Sequence, residues 1–359
     1  MNNWKICNIN IGEKLIKKIT VSGLKPGPHI HIQASVHGAE VMGNKVIQLI
    51  LDYFRTHECN GKITFIPHAN PYSKDQKSGT YTNGRFCPIT GENWNRIYTD
   101  ISKTSFFKNK LESSLDSYKN NHDSFKQLIK ETITSLKQSP YFISREKELG
   151  LELQYHAADS DIFLDFHTGP IATDYLYVSE RQKNISKDLP LSNQILIPNI
   201  FDSAGDEAYF SPWVALEEAT NSSFLGGEAY TVELGSEETI QENYAEKMFE
   251  KIFFFFKKRK VINCPTETLH NNKINFQKLE KFKTYYCKNS GLIHYLKKPG
   301  ESINKNETLY KILDLNNITE ESNNGVLEEV LAVKDGIVIN HSPSANMLQG
   351  TQIYQILEN

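Results

Sequence analysis

The chain is poor in cysteine and has no paired thiols. Its five cysteines, Cys7, Cys59, Cys87, Cys264 and Cys287, are scattered, odd in number and form no CxxC pair. That excludes a zinc-ribbon or thioredoxin-type motif and leaves free thiols in a reducing cytosol as the expectation. No long hydrophobic run is present. The most apolar window, Met248 to Phe256, is far too short to span a bilayer. Residues Met1 to Lys18 hold no apolar run ahead of a cleavage site, so no signal peptide and a cytoplasmic location are expected. There is no excess of positive charge: the formal net charge is -3, and nothing forms a basic stripe for nucleic acid. The short basic run Lys257 to Lys260 reads as the last turn of a helix, where cations complement the macrodipole. The chain also lacks GxSxG, a GxGxxG after a strand, and a Walker loop, which removes the serine-hydrolase and nucleotide-binding readings.

What remains is a soluble globular composition, 39% apolar and 23% charged over 359 residues, enough for about two domains. His29 to Val36 reads as a strand and breaks at His37-Gly38. Val41 to Phe54 follows with a helical period, and Lys62 to Ile66 is another strand. Residues Tyr72 to Glu92 read as a long structured loop, the kind that often carries function. Phe106 to Leu153 is charged and helical in period, with a break at Ser139-Pro140. Asp161 to Phe166 and Ala229 to Leu234 read as buried strands, and Glu238 to Phe256 as a helix. The alternation predicts an α/β sheet domain over 1–265, with a helical insertion at about 99–155. A polar connector over 266–284 leads to a small all-β barrel or sandwich over 285–359. Its two halves rhyme: Gly291-Leu292-Ile293 answers Gly336-Ile337-Val338, and Leu309-Tyr310 answers Ile353-Tyr354.

The sharpest chemical signal is His37-Gly38-Ala39-Glu40, where a strand gives way to a helix. Such a turn can aim a histidine and a glutamate three residues apart at one metal ion. Zinc takes imidazole nitrogen and carboxylate oxygen at roughly 2.0–2.2 Å. Alone, HxxE is a weak pattern. A catalytic zinc needs a third ligand and an open position, and His167, just past the apolar strand in Asp165-Phe166-His167-Thr168-Gly169, is the natural third. Glu233, near the end of the strand Tyr230-Thr231-Val232-Glu233-Leu234, is placed to act as a general base towards a metal-activated water. Arg85 in the long loop and the pair Asn95-Arg96 supply groups that hold a carboxylate or steady an oxyanion.

The set HGAE, GRF, NWNR, DFHTG and VELG, in that order from Ile30 to Phe256, resembles the succinylglutamate desuccinylase/aspartoacylase family of the zinc carboxypeptidase superfamily. The resemblance implies a three-layer α/β/α domain with a mixed central sheet. It implies one zinc per chain on His37, Glu40 and His167, with Glu233 as general base and proton shuttle. Arg85 would polarise the scissile carbonyl, and Asn95 and Arg96 would hold a substrate carboxylate. The expected activity is hydrolysis of the amide bond of a small N-acyl amino acid. The alternatives are a metallocarboxypeptidase and a non-catalytic zinc- or ligand-binding relative. The expected partner is a small molecule, with no nucleic acid and no membrane; a homo-oligomer stays open. One departure stands out: several relatives carry Asp where this chain has Asn93, two residues before the Asn-Arg pair. An amide oxygen there can still accept an imidazole N–H but lends the ring less basicity. Asp165 is a second group that could support a histidine. Tyr175, Tyr177, Tyr209 and Tyr230 are all open as the tyrosine with which some relatives touch substrate.

Overall fold

A computed structural model describes residues 1–263, 273–321 and 325–359. The chain opens with a hairpin, β1 (Asn3–Ile11) and β2 (Lys14–Ser22), for which the sequence reading named no element. Strand β3 (Lys25–Ala34) then leads through the HGAE turn to helix α1 (Met42–Thr56) and β4 (Asn60–Ile66). The long loop is not strand-free, since β5 (Lys77–Ser78) and β6 (Tyr81–Thr82) pair inside it. Four helices follow: α2 (Ser105–Ser113), α3 (Leu115–Asn120), α4 (His122–Lys137) and α5 (Arg145–Ala157). They fill the segment read as a helical insertion. The central strands are β7 (Ile162–Gly169), with β8 (Ile171–Ala172) just beyond it, β9 (Asp174–Ser179) and β10 (Asn193–Ile197). Helix α6 (Gly205–Ala219), strand β11 (Glu228–Ser236) and helix α7 (Glu242–Lys258) complete the larger part.

The main sheet has nine strands in the order β1-β2-β4-β3-β7-β11-β9-β10-β12, where β12 is Asn275–Lys278. Strands β4, β3, β7 and β11 run parallel, whereas β1, β2 and the β11-β9 pair introduce antiparallel neighbours, so the sheet is mixed. The central strands are buried on both faces, which explains their near-continuous apolar runs. Their alternation still separates two faces. Ile162, Leu164, Phe166, Tyr230, Val232 and Leu234 pack under α1 and α7 in one large core. Asp165, His167, Thr231 and Glu233 occupy the alternate positions and face the other way. On α1 the buried stripe is Val46, Ile47, Ile50 and Phe54; on α7 it is Ala245, Met248, Ile252, Phe255 and Phe256. Helix α7 starts at Glu242, later than its period suggested. At its basic end Arg259 pairs with Glu228 and Asp188. Helices on both faces of the sheet make the three layers that the resemblance implied.

The expected domain boundary at 265 lies outside the described residues. Within the stretch read as a connector, β12 joins the main sheet beside β10, and β13 (Phe282–Tyr286) already belongs to the C-terminal module. That module is antiparallel. One sheet orders β13-β20-β18-β15 and the other β17-β16-β14-β19. The strands are β14 (Gly291–Tyr295), β15 (Ser302–Ile303), β16 (Thr308–Leu313), β17 (Val326–Leu331), β18 (Gly336–His341), β19 (Asn346–Met347) and β20 (Gln352–Glu358). Ile293, Leu309, Ile312, Val338, Ile353 and Ile356 fill the space between the sheets. The rhyming halves correspond to the pair β14-β16 in one sheet and β18-β20 in the other. Strand β18 also pairs with β8, which attaches the module directly beyond β7. No helix among the described residues is long and apolar enough to cross a membrane.

Candidate functional site

The site begins where β3 ends. Ser35 takes a left-handed backbone conformation (φ 58°) and turns the chain sharply. The turn is closed by the Glu40 backbone N–H donating to the His37 carbonyl at 3.3 Å. It brings His37 Nδ1 to 2.8 Å from Glu40 Oε1. From β7, His167 Nδ1 lies 2.8 Å from Glu40 Oε2, and the Thr168 backbone N–H donates to the same oxygen. His167 sits inside the strand, which runs on to Gly169, and not just past it. Ligand atoms from His37, Glu40 and His167, all buried, lie within 4.8 Å of one another.

Each ring is supported from behind. His37 Nε2 donates to Asn93 Oδ1 at 2.8 Å, so the amide takes up the orienting contact that the departure from Asp put in question. His167 Nε2 lies 3.1 Å from Asp165 Oδ2. The donor set fits a divalent cation: two imidazole nitrogens and a carboxylate, with a hydrogen-bonded amide oxygen behind His37 and the Asp165 carboxylate beside His167. Burial alone would raise the Glu40 carboxyl pKa, but His37 and His167 outweigh it and hold the group well below the usual carboxylate range. Burial likewise opposes a charged His167 ring, and Asp165 and Glu40 outweigh that and hold it well above its ordinary value. A bound cation would take the place that a proton otherwise fills between these groups.

Arg85 reaches the cluster through a backbone contact. The Gly38 N–H donates to the Gly84 carbonyl at 3.0 Å. A Cβ on Gly38 would stand 2.2 Å from the Ser73 carbonyl oxygen, so this approach requires glycine. Arg85 Nη1 then donates to Glu40 Oε1 at 3.2 Å. Burial works against its charge, but Glu40, Glu237 and Glu233 outweigh it and hold the guanidinium above its ordinary value.

Glu233 pairs with His167 across β11 and β7, and with Tyr175 across β11 and β9. Three side chains on three adjacent strands therefore form one row. Glu233 Oε2 has no hydrogen-bond partner. Burial, and then the Glu40 charge, push its carboxyl pKa up to about 7. Arg96 is exposed, and its Nη1 donates to the Asn95 carbonyl. Among the described residues no carboxylate lies within 4 Å of its guanidinium. The Asn95 side-chain oxygen accepts from the Gly205 N–H at the start of α6.

All seven residues singled out from the sequence line one cavity of about 540 Å³. Tyr175 and Tyr177 line it too, whereas Tyr209 bonds to the Ser160 carbonyl and Tyr230 to Glu228 away from it. Sequence reasoning missed Thr168, Asp206, Thr231, Asn340 and Gln355 in the lining. The alternation of β11 could have pointed to Thr231, two residues before Glu233. Nothing in the sequence places Asn340 or Gln355 there.

A mixed-sheet α/β protein with a His-Glu-His cluster suited to a metal ion, set at the ends of its central strands, is the class these features define. Residues 26–257 match the family described as succinylglutamate desuccinylase/aspartoacylase catalytic domain, and the chain belongs to that family. Membership places it among hydrolytic deacylases. A succinylglutamate desuccinylase/aspartoacylase family structure from Shewanella amazonensis SB2B is 29% identical, with a TM-score of 0.85 and 98% of each chain covered. One from Shewanella frigidimarina NCIMB 400, named for succinylglutamate desuccinylase/aspartoacylase, is 30% identical, with a TM-score of 0.88 and coverage of 100% of this chain and 98% of that one. The ectoine utilization protein EutE (DoeB) of Ruegeria pomeroyi shares the fold at 12% identity and a TM-score of 0.66, covering 100% of this chain and 95% of that one. No curated protein matches the chain.

Proposed function

We propose that this protein is a zinc-dependent deacylase that hydrolyses the amide bond of an N-acyl amino acid or a related small carboxylate-bearing substrate. One observation carries the reading. The buried His37-Glu40-His167 cluster, Arg85 and Glu233 all line the same cavity. His37, Glu40 and His167 would hold the metal, and when bound it supplies Lewis-acid chemistry, acidifying a water and polarising a carbonyl. Glu233 takes a proton from the attacking water and delivers it to the leaving nitrogen as the C–N bond breaks. A carboxyl pKa near 7 suits both directions of that transfer. Arg85 steadies the negative charge that develops on the carbonyl oxygen. Arg96, held in no ion pair but near enough to Glu207 to favour its charged form, pairs with the substrate carboxylate, and the Asn95 side chain adds a donor beside it.

The cavity favours a small substrate over a peptide. Its lining includes Asn340, Ser342, Pro343, Gln352 and Gln355, so the C-terminal module walls one side. The reading is tested by elemental analysis of wild type beside His37→Ala and His167→Ala, followed by a screen of N-acyl amino acids against short peptides. About one zinc per chain, lost in both variants, is expected, together with hydrolysis of an acylated amino acid. Zinc retained in both variants, or none in the wild type, overturns the metal assignment. Stoichiometric zinc without hydrolysis of any compound supports a binding protein instead, and preferred cleavage of peptides supports a carboxypeptidase.

A further inference from the structure

The cavity lining includes apolar side chains that remain open to solvent. Phe86, directly after Arg85, lines the cavity and is 53% exposed. Its backbone is fixed on both sides. Phe86 forms a β-bridge with Asn93, the Cys87 N–H donates to the Glu92 carbonyl at 2.8 Å, and the Trp94 N–H donates to the Arg85 carbonyl at 3.1 Å. Cys87 and Trp94 are buried and anchor this frame. The ring is therefore held at the cavity by ordered backbone on either side. Three further apolar residues reach the same lining from separate parts of the chain: Pro170 just beyond β7, Leu279 just beyond β12 and 40% exposed, and Pro343 just beyond β18. Single exposed apolar residues are ordinary. Four brought from four segments into one cavity mark a surface built to cover an apolar part of a ligand.

The charges are placed differently. The lysine and arginine side chains in the described lining are Arg85 and Arg96 alone. Arg85 is bonded to Glu40, which leaves Arg96 for one carboxylate. Away from the metal cluster and Glu233, the carboxylates in the lining are Asp202, Asp206 and Glu207, gathered where the chain enters α6. A second substrate carboxylate would meet either these like charges or the apolar side chains, where loss of its water is costly and no cation compensates. Arg96 takes the carboxylate of the amino-acid half and Arg85 the scissile carbonyl, so the acyl half continues past Phe86, the residue joined to Arg85.

We propose that Phe86 is a specificity residue for the acyl half: with Pro170, Leu279 and Pro343 it receives an uncharged, apolar acyl group. The preferred substrate is then a monocarboxylate, an amino acid carrying an aliphatic or aromatic acyl chain, in contrast to a dicarboxylate. This rests on the deacylase reading above.

The experiment uses the full-length, zinc-loaded protein and its Phe86→Ala and Phe86→Leu variants. The compounds are the N-acetyl, N-butyryl, N-hexanoyl and N-succinyl derivatives of the amino acid released fastest in the screen above, or of glycine if none is released. Butyryl and succinyl match in carbon count and differ in a terminal methyl against a carboxylate. In wild type, kcat/KM should rise by about twofold to fourfold per added methylene from acetyl to hexanoyl. The butyryl compound should exceed the succinyl one by about 10-fold or more. Phe86→Ala should flatten the chain-length dependence and leave the acetyl compound within about twofold, because an acetyl group offers the ring little area. Phe86→Leu, still apolar, should keep most of it. A flat series or a succinyl preference in wild type overturns the proposal. So does a chain-length trend untouched in Phe86→Ala, or equal loss on every compound at unchanged zinc content and melting temperature. If wild type hydrolyses nothing, the deacylase reading fails on its own. Calorimetric binding of the same compounds then decides the role of Phe86: weakening confined to the butyryl and hexanoyl compounds in Phe86→Ala upholds it, and uniform or absent weakening refutes it.

Discussion

At the scale of single residues, Glu233 and His29 show how burial sets chemistry in opposite senses. Glu233 is raised towards neutrality beside a cluster of ionisable groups and keeps one oxygen free. Glu233→Gln keeps the shape and removes the proposed base. It should lower kcat by about 10²- to 10⁴-fold while zinc content stays at the wild-type level, and steady-state kinetics beside elemental analysis will check both. His29 lies away from the cavity, and its ring is fully bonded as a neutral group: Nδ1 to the Asp159 carbonyl and Nε2 to Thr64 Oγ1, each at 2.9 Å. Burial, and then Lys62, lower its pKa from 6.5 to about 4. Between these values the unfolded chain binds a proton that the folded ring refuses. Stability therefore falls as pH drops through that window and is fully present above 6.5. The loss at pH 5 is on the order of 2 kcal/mol. Urea unfolding at pH 7.5 and pH 5 should show a smaller difference between the two pH values in His29→Gln than in wild type.

At the scale of elements, the site depends on how one turn meets one loop. The β3-α1 turn supplies His37 and Glu40, and the long loop supplies Arg85 and Asn93. The Gly38-Gly84 backbone contact joins them. Gly38→Ala drives a methyl into the Ser73 carbonyl. The expected cost is about 1–3 kcal/mol of stability, with weakened zinc retention because His37 and Glu40 flank the displaced residue. Chemical denaturation and zinc dissociation into a chelator will measure the two effects. The turn itself was legible, since a strand, a small-residue break and an amphipathic helix follow one another in sequence. The strand carrying Glu233 was legible as an apolar run interrupted by an ionisable residue, and β7 was legible as far as Phe166, one residue short of His167. The β1-β2 hairpin was not, because an edge hairpin exposed along much of its length lacks a strong apolar alternation. Strand β12 was hidden for a similar reason: three half-exposed residues and an exposed one within a polar stretch carry almost no periodic signal.

At the scale of the whole molecule, the C-terminal module is part of the site and not an appendage. Leu357 and Ile339 of the module share a core with Tyr175 and Ile195 of the main sheet, and Tyr175 also lines the cavity. Leu357, fully buried, couples stability to the cavity wall. Leu357→Ala should cost about 2–5 kcal/mol and raise KM as the wall loosens, with zinc content unchanged; thermal unfolding and kinetics on one preparation test the coupling. The sequence by itself determined the residue types of the candidate metal cluster and their order along the chain, because imidazole and carboxylate groups are what a metal site would need, and a buried strand announces itself by composition. Only the tertiary structure decided that β7, β11 and β9 lie side by side, which sets His167, Glu233 and Tyr175 in one row. It alone brought Asn93 behind His37, and Asn340 and Gln355 into the cavity wall. Strand order and module docking arise from contacts between residues far apart in the chain, and no local pattern of propensity or hydrophobicity encodes them.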